Sequence, residues 1–293
     1  MLTLVAATGL ATELRVLPAS HAIVSWNASA AADTLELVVD TLAGGRSRAL
    51  PYVAFEAAGR ASLNGFDDVA RIETDIVRAT GIAALTVRSH EPLVRVAAST
   101  PPLEAARPTA MSAVRARPEL AVPERSQYVP DFPEQRGWCT PACVSMLLGA
   151  HGIAVGVAEA ATGMFDRSYG GTGNWSFAMA YAGACGVAAA AAYLRDLVTV
   201  EAFVAAGLPV ALSIAWSDGA LAGAPLDRSD GHLVVVRGFT PTGDVIVNDP
   251  AQPAVRHTYG RAAFARSWLG HGGGALLVAP PERIDDLLRC ANA

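Results

Sequence analysis

The stretch that decides the fold covers residues 137–148 and reads Gly-Trp-Cys-Thr-Pro-Ala-Cys-Val-Ser-Met-Leu-Leu. Pro141 suits the first turn of a helix, because the N–H group that proline lacks would have no partner there. Cys143 and Met146 follow at the three-residue spacing of a helical core stripe. The stretch therefore predicts a helix that begins at Cys139 and turns an apolar face to the core.

A cysteine at this position has a specific chemical meaning. The N-terminus of a helix carries a partial positive charge and free N–H groups, and both favour a thiolate. Farther along the chain, His232 follows a glycine and Asp249 lies within an Asn-Asp-Pro segment. A neighbouring imidazole can take a thiol proton, and a carboxylate can fix the tautomer of that imidazole. The sequence thus predicts a nucleophile site made of Cys139, His232 and Asp249.

A predicted hairpin brings two of these residues together. Strands are expected over 233–239 and 245–249, and the segment 240–243 between them has the proline and glycine of a turn. His232 and Asp249 then lie directly opposite each other or one step diagonal. Taken singly, the histidine could be bonded to backbone and the Asn-Asp-Pro segment could be a turn. A cysteine with a separated histidine and aspartate is nevertheless a recognised nucleophile pattern.

Composition excludes several classes of protein. The chain has 293 residues, of which 52% are hydrophobic and 17% are charged, and its formal net charge is -5. This balance argues against a nucleic-acid-binding surface. The four cysteines lack paired CxxC spacing, so we expect neither zinc nor a disulfide scaffold. Cys143 and Cys185 are expected in the core. No metal or organic cofactor is implied.

The termini and apolar runs bear on localisation. No apolar run is long enough to span a membrane. The apolar N-terminus lacks a basic region, so it is a poor signal peptide. We expect a cytoplasmic protein from the sequence as it stands, or a secreted one if a signal peptide is missing from it.

Three segments are predicted along the chain. Residues 1–98 contain short apolar runs separated by Gly, Asn, Asp and Pro, which predicts an all-β, sandwich-like domain. Residues 99–121 are rich in proline and predict a linker. Residues 122–293 place helices first and strands later, which is the order of an α+β domain.

The second segment resembles a known family. From 122 to 278 the chain is similar to the bacterial papain-like cysteine peptidases of family C thirty-nine, in particular the C39-like, bacteriocin-processing-peptidase-like domain. The matching motifs lie at 122–127, 138–141, 173–175, 231–235 and 248–250. The resemblance implies an α+β papain-like fold. The N-terminal strands also resemble the sandwich that precedes such domains in actinobacterial relatives.

The resemblance assigns roles to particular residues. Cys139 is the nucleophile, His232 the base and Asp249 the orienting residue. The family also uses a glutamine upstream of the cysteine as an oxyanion donor, beside the backbone N–H of the cysteine. Gln127 and Gln135 compete for this role, and we prefer Gln127 because its neighbours match the relatives better.

The same resemblance suggests where a substrate binds. We expect Trp138, Asn174 and Trp175 to contact it, with Trp216 a further candidate, although core packing is an equally good explanation for the tryptophans. Many relatives carry glycine where this chain has Thr140, which would narrow the cleft. The implied function is hydrolysis of a peptide or amide bond in a peptide or protein substrate. The alternatives are a catalytically silent module that binds peptide or cell-wall material, and a transglutaminase-like acyl transferase.

Overall fold

The computed structural model describes residues 1–28, 34–56, 59–103, 119–135 and 137–293. Most of the predicted linker at 99–121 lies outside these residues. In chain order the strands are β1 (Leu2–Ala6), β2 (Ala11–Asn27), β3 (Leu35–Thr41), β4 (Leu50–Glu56), β5 (Gly59–Ser62), β6 (Ala70–Glu73), β7 (Ile76–Ser89), β8 (Arg95–Ser99), β9 (Ala188–Tyr193), β10 (Val210–Trp216), β11 (Ser229–Phe239), β12 (Val245–Asn248), β13 (Arg256–Tyr259) and β14 (Gly274–Ala279). The helices are α1 (Cys139–Ala150), α2 (Val157–Gly163), α3 (Trp175–Ala184), α4 (Leu197–Ala205), α5 (Arg261–Leu269) and α6 (Ile284–Ala291).

These residues form two compact units. The first contains Met1–Pro101 together with Thr162–Ala192, and the second contains Pro102–Ala161 together with Tyr193–Ala293. The units differ from the contiguous segments expected from the sequence, because residues 162–192 pack with the N-terminal strands. The division of the chain into domains at residues 98 and 122 stays a prediction.

In the described part of the first unit, strands β1–β8 form one curled antiparallel sheet, so the predicted sandwich-like domain is not confirmed. Its strand order is β1-β8-β2-β7-β3-β4-β5, and β6 pairs with β7. Two of the short apolar runs that each predict a strand, 14–17 and 22–26, lie in one strand of 17 residues, β2. Its pairing with β7 shifts register between Arg15 and His21. Pro18 lies within this interval and lacks an N–H group for the ladder, so the strand is irregular there without ending.

The core of the first unit surrounds Trp26. Its ring makes edge contacts with Tyr52 and with Phe177 of α3, each at a centroid distance of 5.9 Å. The Tyr52 hydroxyl donates to the carbonyl of Val24 at 2.6 Å. Residues 22–27 of β2 are all buried, so both faces of the strand are covered there. Over residues 11–16, exposed and buried residues alternate.

Asp75, whose carboxylate binds the first residue of α3, makes the stability of the first unit depend on pH. Asp75 accepts a hydrogen bond from the backbone N–H of Trp175 at 2.8 Å. Burial, and to a lesser degree the negative charge of Asp166, raise the pKa of Asp75 to about 6, against the lowering effect of the backbone N–H groups. The folded state therefore holds this proton more tightly than the unfolded state does. Stability is lost as the pH rises from the ordinary aspartate pKa through 6, and it stays lower above that pH.

We expect Asp75→Asn to stabilise the protein at pH 7 by up to about 3 kcal/mol, since an amide oxygen still accepts from the helix N–H and carries no charge. Urea unfolding at pH 4, 5, 6 and 7 measures this. The advantage of the variant should grow as the pH rises from 4 to about 6 and should then level off. A variant that is less stable than the wild-type protein at pH 7 would contradict this account of Asp75.

The second unit contains the sheet and helices that carry the predicted site. Its strands follow the order β13-β12-β11-β10-β14, with antiparallel neighbours. Helix α1 packs against β11, and α5 packs against β10. Residues 140–148 of α1 are all buried, not only the predicted stripe. A helix that is apolar on all sides belongs in a protein interior. Packing on all sides of α1 therefore holds the helix that begins at Cys139.

None of the helices in the described part of the chain is both long and apolar enough to cross a membrane.

Candidate active site

Cys139 is the first residue of α1, as the sequence predicts. The residue is partly exposed, whereas the next residue, Thr140, is buried. The first N–H groups of a helix have no carbonyl partner within that helix, and they add to the positive end of the helix dipole. The thiol of Cys139 therefore lies where a negative charge is stabilised.

His232 lies on β11, opposite Ile214 of β10. Its side chain is 8% exposed and forms a hydrogen bond with the thiol of Cys139. The ring of Trp216 meets the imidazole edge-on at a centroid distance of 6.0 Å. The contacts with Cys139 and Trp216 fix the imidazole between helix α1 and strand β10.

The hairpin between β11 and β12 brings Asp249 to His232, which confirms the predicted placement. Its turn is closed by hydrogen bonds from Thr240 N–H to the carbonyl of Asp244 and from Gly243 N–H to the carbonyl of Thr240, and Gly243 has a φ of 91°. Asn248 pairs with Val235, so the residue after it comes diagonal to His232. The Nε2–H group of His232 donates to Oδ1 of Asp249 at 2.7 Å. Because Nε2 is bonded to Asp249, we assign the hydrogen bond with the Cys139 thiol to Nδ1.

The carboxylate of Asp249 is fully buried and accepts hydrogen bonds at both oxygens. Besides His232, Oδ1 accepts from the backbone N–H of Ala251 at 2.9 Å. Oδ2 accepts from the hydroxyl of Tyr259 at 2.6 Å. A buried carboxylate is stable as an anion only with such donors, so this arrangement keeps Asp249 charged.

The three groups shift one another's pKa values in a consistent direction. Burial alone raises the pKa of the Cys139 thiol, but the hydrogen bond and charge of His232 bring it below the ordinary cysteine value. Burial alone lowers the pKa of His232, but hydrogen bonds to Asp249 and Cys139 raise it above the ordinary histidine value. Burial raises the pKa of Asp249, but the His232 hydrogen bond brings it below the usual range. The arrangement favours a thiolate, an imidazolium and a carboxylate in sequence.

Thr140 contributes to this shift. A hydrogen bond from its side chain to Cys139 lowers the pKa of that thiol, although this effect is smaller than those of His232. The sequence indicated only that Thr140 would narrow the cleft. A hydroxyl group can donate to an adjacent thiolate, which glycine at this position cannot do.

Gln127 is held beside the segment that carries Asp249. Its backbone N–H donates to the carbonyl of Pro250 at 2.9 Å, and its side chain is buried. Gln135 instead lies in a turn, where its N–H donates to the carbonyl of Phe132 at 3.0 Å, and it is partly exposed. Burial and tethering to the Asp249 segment favour Gln127, and its role stays a prediction.

A strap formed by residues 119–127 fixes Gln127 from the N-terminal side. The N–H of Leu120 donates to the carbonyl of Arg237 at 2.7 Å. The amide of Asn248 donates to the carbonyl of Pro123 at 3.1 Å. At Gly149, an added Cβ would lie 2.5 Å from Cγ of Pro123, so only glycine lets α1 approach the strap this closely. The strap thus joins β11, β12 and α1 around the site.

Trp138 is the residue immediately before the nucleophile candidate. It is partly exposed, and its ring lies 5.2 Å from the ring of Phe132. Tyr128 and Phe132, which line a cavity of about 200 Å³ in the same loop, are among the exposed large apolar residues. The predicted contact of Trp138 with substrate agrees with this exposure and stays a prediction.

Asn174 and Trp175 belong to the first unit. Asn174 is buried and caps α3, since its side chain accepts from the N–H of Phe177 at 3.1 Å and donates to Asp166 at 2.9 Å. Trp175 is the first residue of α3 and is bound through its N–H to Asp75. These contacts give both residues a structural role, which the sequence indicated for Trp175 but not for Asn174. Their predicted substrate contacts stay a prediction.

Cys143 and Cys185 are not among the predicted catalytic residues. The four cysteines form no disulfide. Cys143 is buried and its thiol donates to the carbonyl of Leu233 at 3.3 Å, while burial raises its pKa. Cys185 is only partly buried, so its predicted place in the core is not confirmed.

Among the described residues, no three His, Cys, Asp or Glu side chains form a group that could hold a metal ion.

Sequence reasoning missed Tyr259. The residue is fully buried at the end of β13, ten positions after Asp249. No motif joins the two residues, and only the return of the chain from β12 to β13 brings them together. The sequence offers only a single tyrosine ten positions after Asp249 as a signal.

A family model described as "Peptidase_C39 like family" matches residues 119–276, which is more than half of the chain. Its range begins at the first residue of the strap and includes Cys139, His232 and Asp249. No curated protein matches the chain.

Solved structures that are similar to the chain include three peptidases or peptidase domains. One is a double-glycine-motif protease from an AMS/PCAT transporter in complex with the leader peptide, 18% identical, covering 57% of this chain and 95% of that chain, with a TM-score of 0.39. Another is a C39-like peptidase from Bacillus anthracis, 18% identical, covering 55% and 95%, with a TM-score of 0.40. The third is the peptidase domain of Streptococcus ComA, a bi-functional ABC transporter involved in a quorum sensing pathway, 17% identical, covering 54% and 98%, with a TM-score of 0.38.

Proposed function

The chain belongs to the Peptidase_C39 like family of cysteine peptidase-like hydrolases, and we propose that it hydrolyses a peptide or amide bond with Cys139, His232 and Asp249. The observation that carries the proposal is the hydrogen-bonded series from the thiol through the imidazole to the buried carboxylate. In such a series each group favours the charged form of the next.

The proposed reaction has two halves. The proton of the Cys139 thiol passes to Nδ1 of His232, and the thiolate attacks the carbonyl carbon of the substrate. His232 then gives its proton to the leaving amine, and a thioester between Cys139 and the acyl part of the substrate remains. A water molecule, deprotonated by His232, attacks the thioester and releases the acid.

The carbonyl oxygen becomes negatively charged when the thiolate attacks. We assign its stabilisation to the side-chain amide of Gln127 and to the backbone N–H of Cys139. Donors that are fixed before the reaction stabilise such an anion without reorganisation. The strap and the backbone bond to Pro250 fix the main chain of Gln127, which supports this assignment.

The two candidate glutamines allow a matched comparison. We expect Gln127→Ala to lower kcat by about a hundredfold or more, as the loss of one oxyanion donor does in acyl transfer. Gln135→Ala should leave kcat within about threefold of the wild-type value, because this residue lies in a partly exposed turn. Steady-state kinetics of both variants measure the difference. The reverse ranking would assign the oxyanion donor to Gln135.

Cleavage of a peptide library by the purified protein tests the proposed function. Mass spectrometry of the products should reveal new peptide termini that are absent when Cys139→Ala replaces the wild-type protein. An added primary amine distinguishes hydrolysis from acyl transfer, because a transferase would join the amine to the acyl product. Peptides that bind equally well to both proteins and are never cleaved would favour the silent binding module.

A further inference from the structure

We propose that Tyr259 is a positioning residue for the Cys139–His232 pair, acting through the carboxylate of Asp249. Its hydroxyl lies 2.6 Å from Oδ2 of Asp249, and the other oxygen of that carboxylate accepts from His232. The catalytic consequence of this role rests on the proposed function. The hydrogen-bond geometry itself does not depend on it.

The hydrogen bonds of Asp249 are divided between its two oxygens. Oδ1 accepts from His232 and from the N–H of Ala251, and Oδ2 accepts from Tyr259. Rotation of the carboxylate would break bonds on both sides at once. The backbone of Asp249 is also fixed, since its N–H donates to the carbonyl of Val255 at 2.7 Å. Tyr259 is thus the side-chain donor that holds the carboxylate from the side opposite His232.

Tyr259 is itself held in place by its neighbours. Its ring stacks on Phe264 at a centroid distance of 5.9 Å and meets the edge of His257 at 4.6 Å. The amide of Gln252 donates to the Tyr259 oxygen at 3.3 Å and to the carbonyl of Gly223 at 2.6 Å. Because Gln252 supplies a donor to that oxygen, the hydroxyl proton of Tyr259 points to Asp249.

The charges around this bond keep the tyrosine a donor. Burial and the negative charge of Asp249 raise the pKa of Tyr259 well above the ordinary tyrosine value, so the hydroxyl keeps its proton. The titratable groups that face the pair from the surrounding elements are Cys139 and Cys143 on α1, His232 on β11, and His257 on β13. Of these, His232 forms the other side-chain hydrogen bond to Asp249.

The test compares Tyr259→Phe with Tyr52→Phe. Both substitutions remove one buried hydroxyl that donates at 2.6 Å, but Tyr52 donates to the carbonyl of Val24 in the first unit. Two properties are measured in each variant: the downfield proton resonance of His232 Nε2–H, assigned by its loss in His232→Ala, and the rate of Cys139 alkylation by iodoacetamide from pH 4 to 9. Thermal unfolding confirms that both variants fold.

We expect Tyr259→Phe to shift or broaden the Nε2–H resonance. The acid limb of its pH profile for Cys139 alkylation should move to higher pH. A less constrained carboxylate stabilises the imidazolium less, and the pKa of the Cys139 thiol rises as a result. The alkylation rate on that limb should fall by about tenfold, the effect of one lost hydrogen bond to a charged group. Tyr52→Phe should match the wild-type protein in both measurements.

The outcomes separate this role from the proposed function. An unchanged resonance and an unchanged pH profile in Tyr259→Phe would overturn the positioning role, and so would equal changes in Tyr52→Phe. A shifted resonance in a protein whose Cys139 is unreactive at every pH would support the positioning of Asp249 and contradict the hydrolase.

Discussion

Replacing His232 with alanine is expected to lower kcat by about four to six orders of magnitude, which is the range for loss of the base in a catalytic triad. In the proposed mechanism His232 is the proton acceptor for Cys139, and its hydrogen bond and positive charge lower the pKa of the thiol. Without the imidazole, the largest effects that lower the pKa of the thiol are lost and burial, which raises that pKa, dominates, so little thiolate exists at neutral pH. Steady-state kinetics on a peptide from the cleavage library measure the loss.

The control for this prediction is His151→Ala. This partly buried histidine contacts the carbonyl of Val278 through its ring and has no contact with Cys139 among the described residues. Its replacement should leave kcat within about threefold of the wild-type value. A His232→Ala protein that retains more than about a hundredth of the wild-type kcat would contradict the role of His232 as the base.

The second large effect is expected at Asp249. We expect Asp249→Ala to lower kcat/KM by about a thousandfold, because it removes the acceptor that orients the imidazole and the charge that stabilises the imidazolium. Asp249→Asn keeps an acceptor for Nε2–H but no charge, and it should lose about ten- to a hundredfold. The two variants therefore separate orientation from charge, and kcat/KM measured from pH 5 to 10 records both.

The pH profile has a predicted sign. In the wild-type protein the ion pair exists between the lowered pKa of Cys139 and the raised pKa of His232. Loss of the Asp249 charge lowers the pKa of His232 and weakens its support for the thiolate. The basic limb of kcat/KM should then move to lower pH and the acid limb to higher pH. An Asp249→Asn profile as wide as that of the wild-type protein would contradict this electrostatic role.

Local sequence signals predicted the parts of the site that depend on neighbouring residues. Cys139 begins α1 because the proline two positions later suits a first turn, and the turn at 240–243 joins β11 to β12 because it contains Pro and Gly. The diagonal placement of Asp249 beside His232 follows from this hairpin. The family prediction is confirmed by the match over 119–276.

Other features depend on long-range packing and could not be predicted in this way. Strand β9 contains five consecutive alanines and is completely buried, and because alanine favours helices, local propensity does not predict this strand. The sandwich prediction treated the irregular segment around Pro18 as a strand end, although it lies within β2. Tyr259 reaches Asp249 through a loop without a motif. These features require knowledge of which surfaces meet.

The most direct test of the central claim is the alkylation of the native protein by a limiting amount of iodoacetamide from pH 5 to 9, mapped by mass spectrometry on all four cysteines. The His232→Ala variant is treated in parallel. The thiolate–imidazolium pair predicts selective modification of Cys139 well below the ordinary cysteine pKa, and loss of that selectivity in the variant. Slow modification of Cys139, or equal modification of the partly exposed Cys139 and Cys185 in both proteins, would contradict an activated nucleophile.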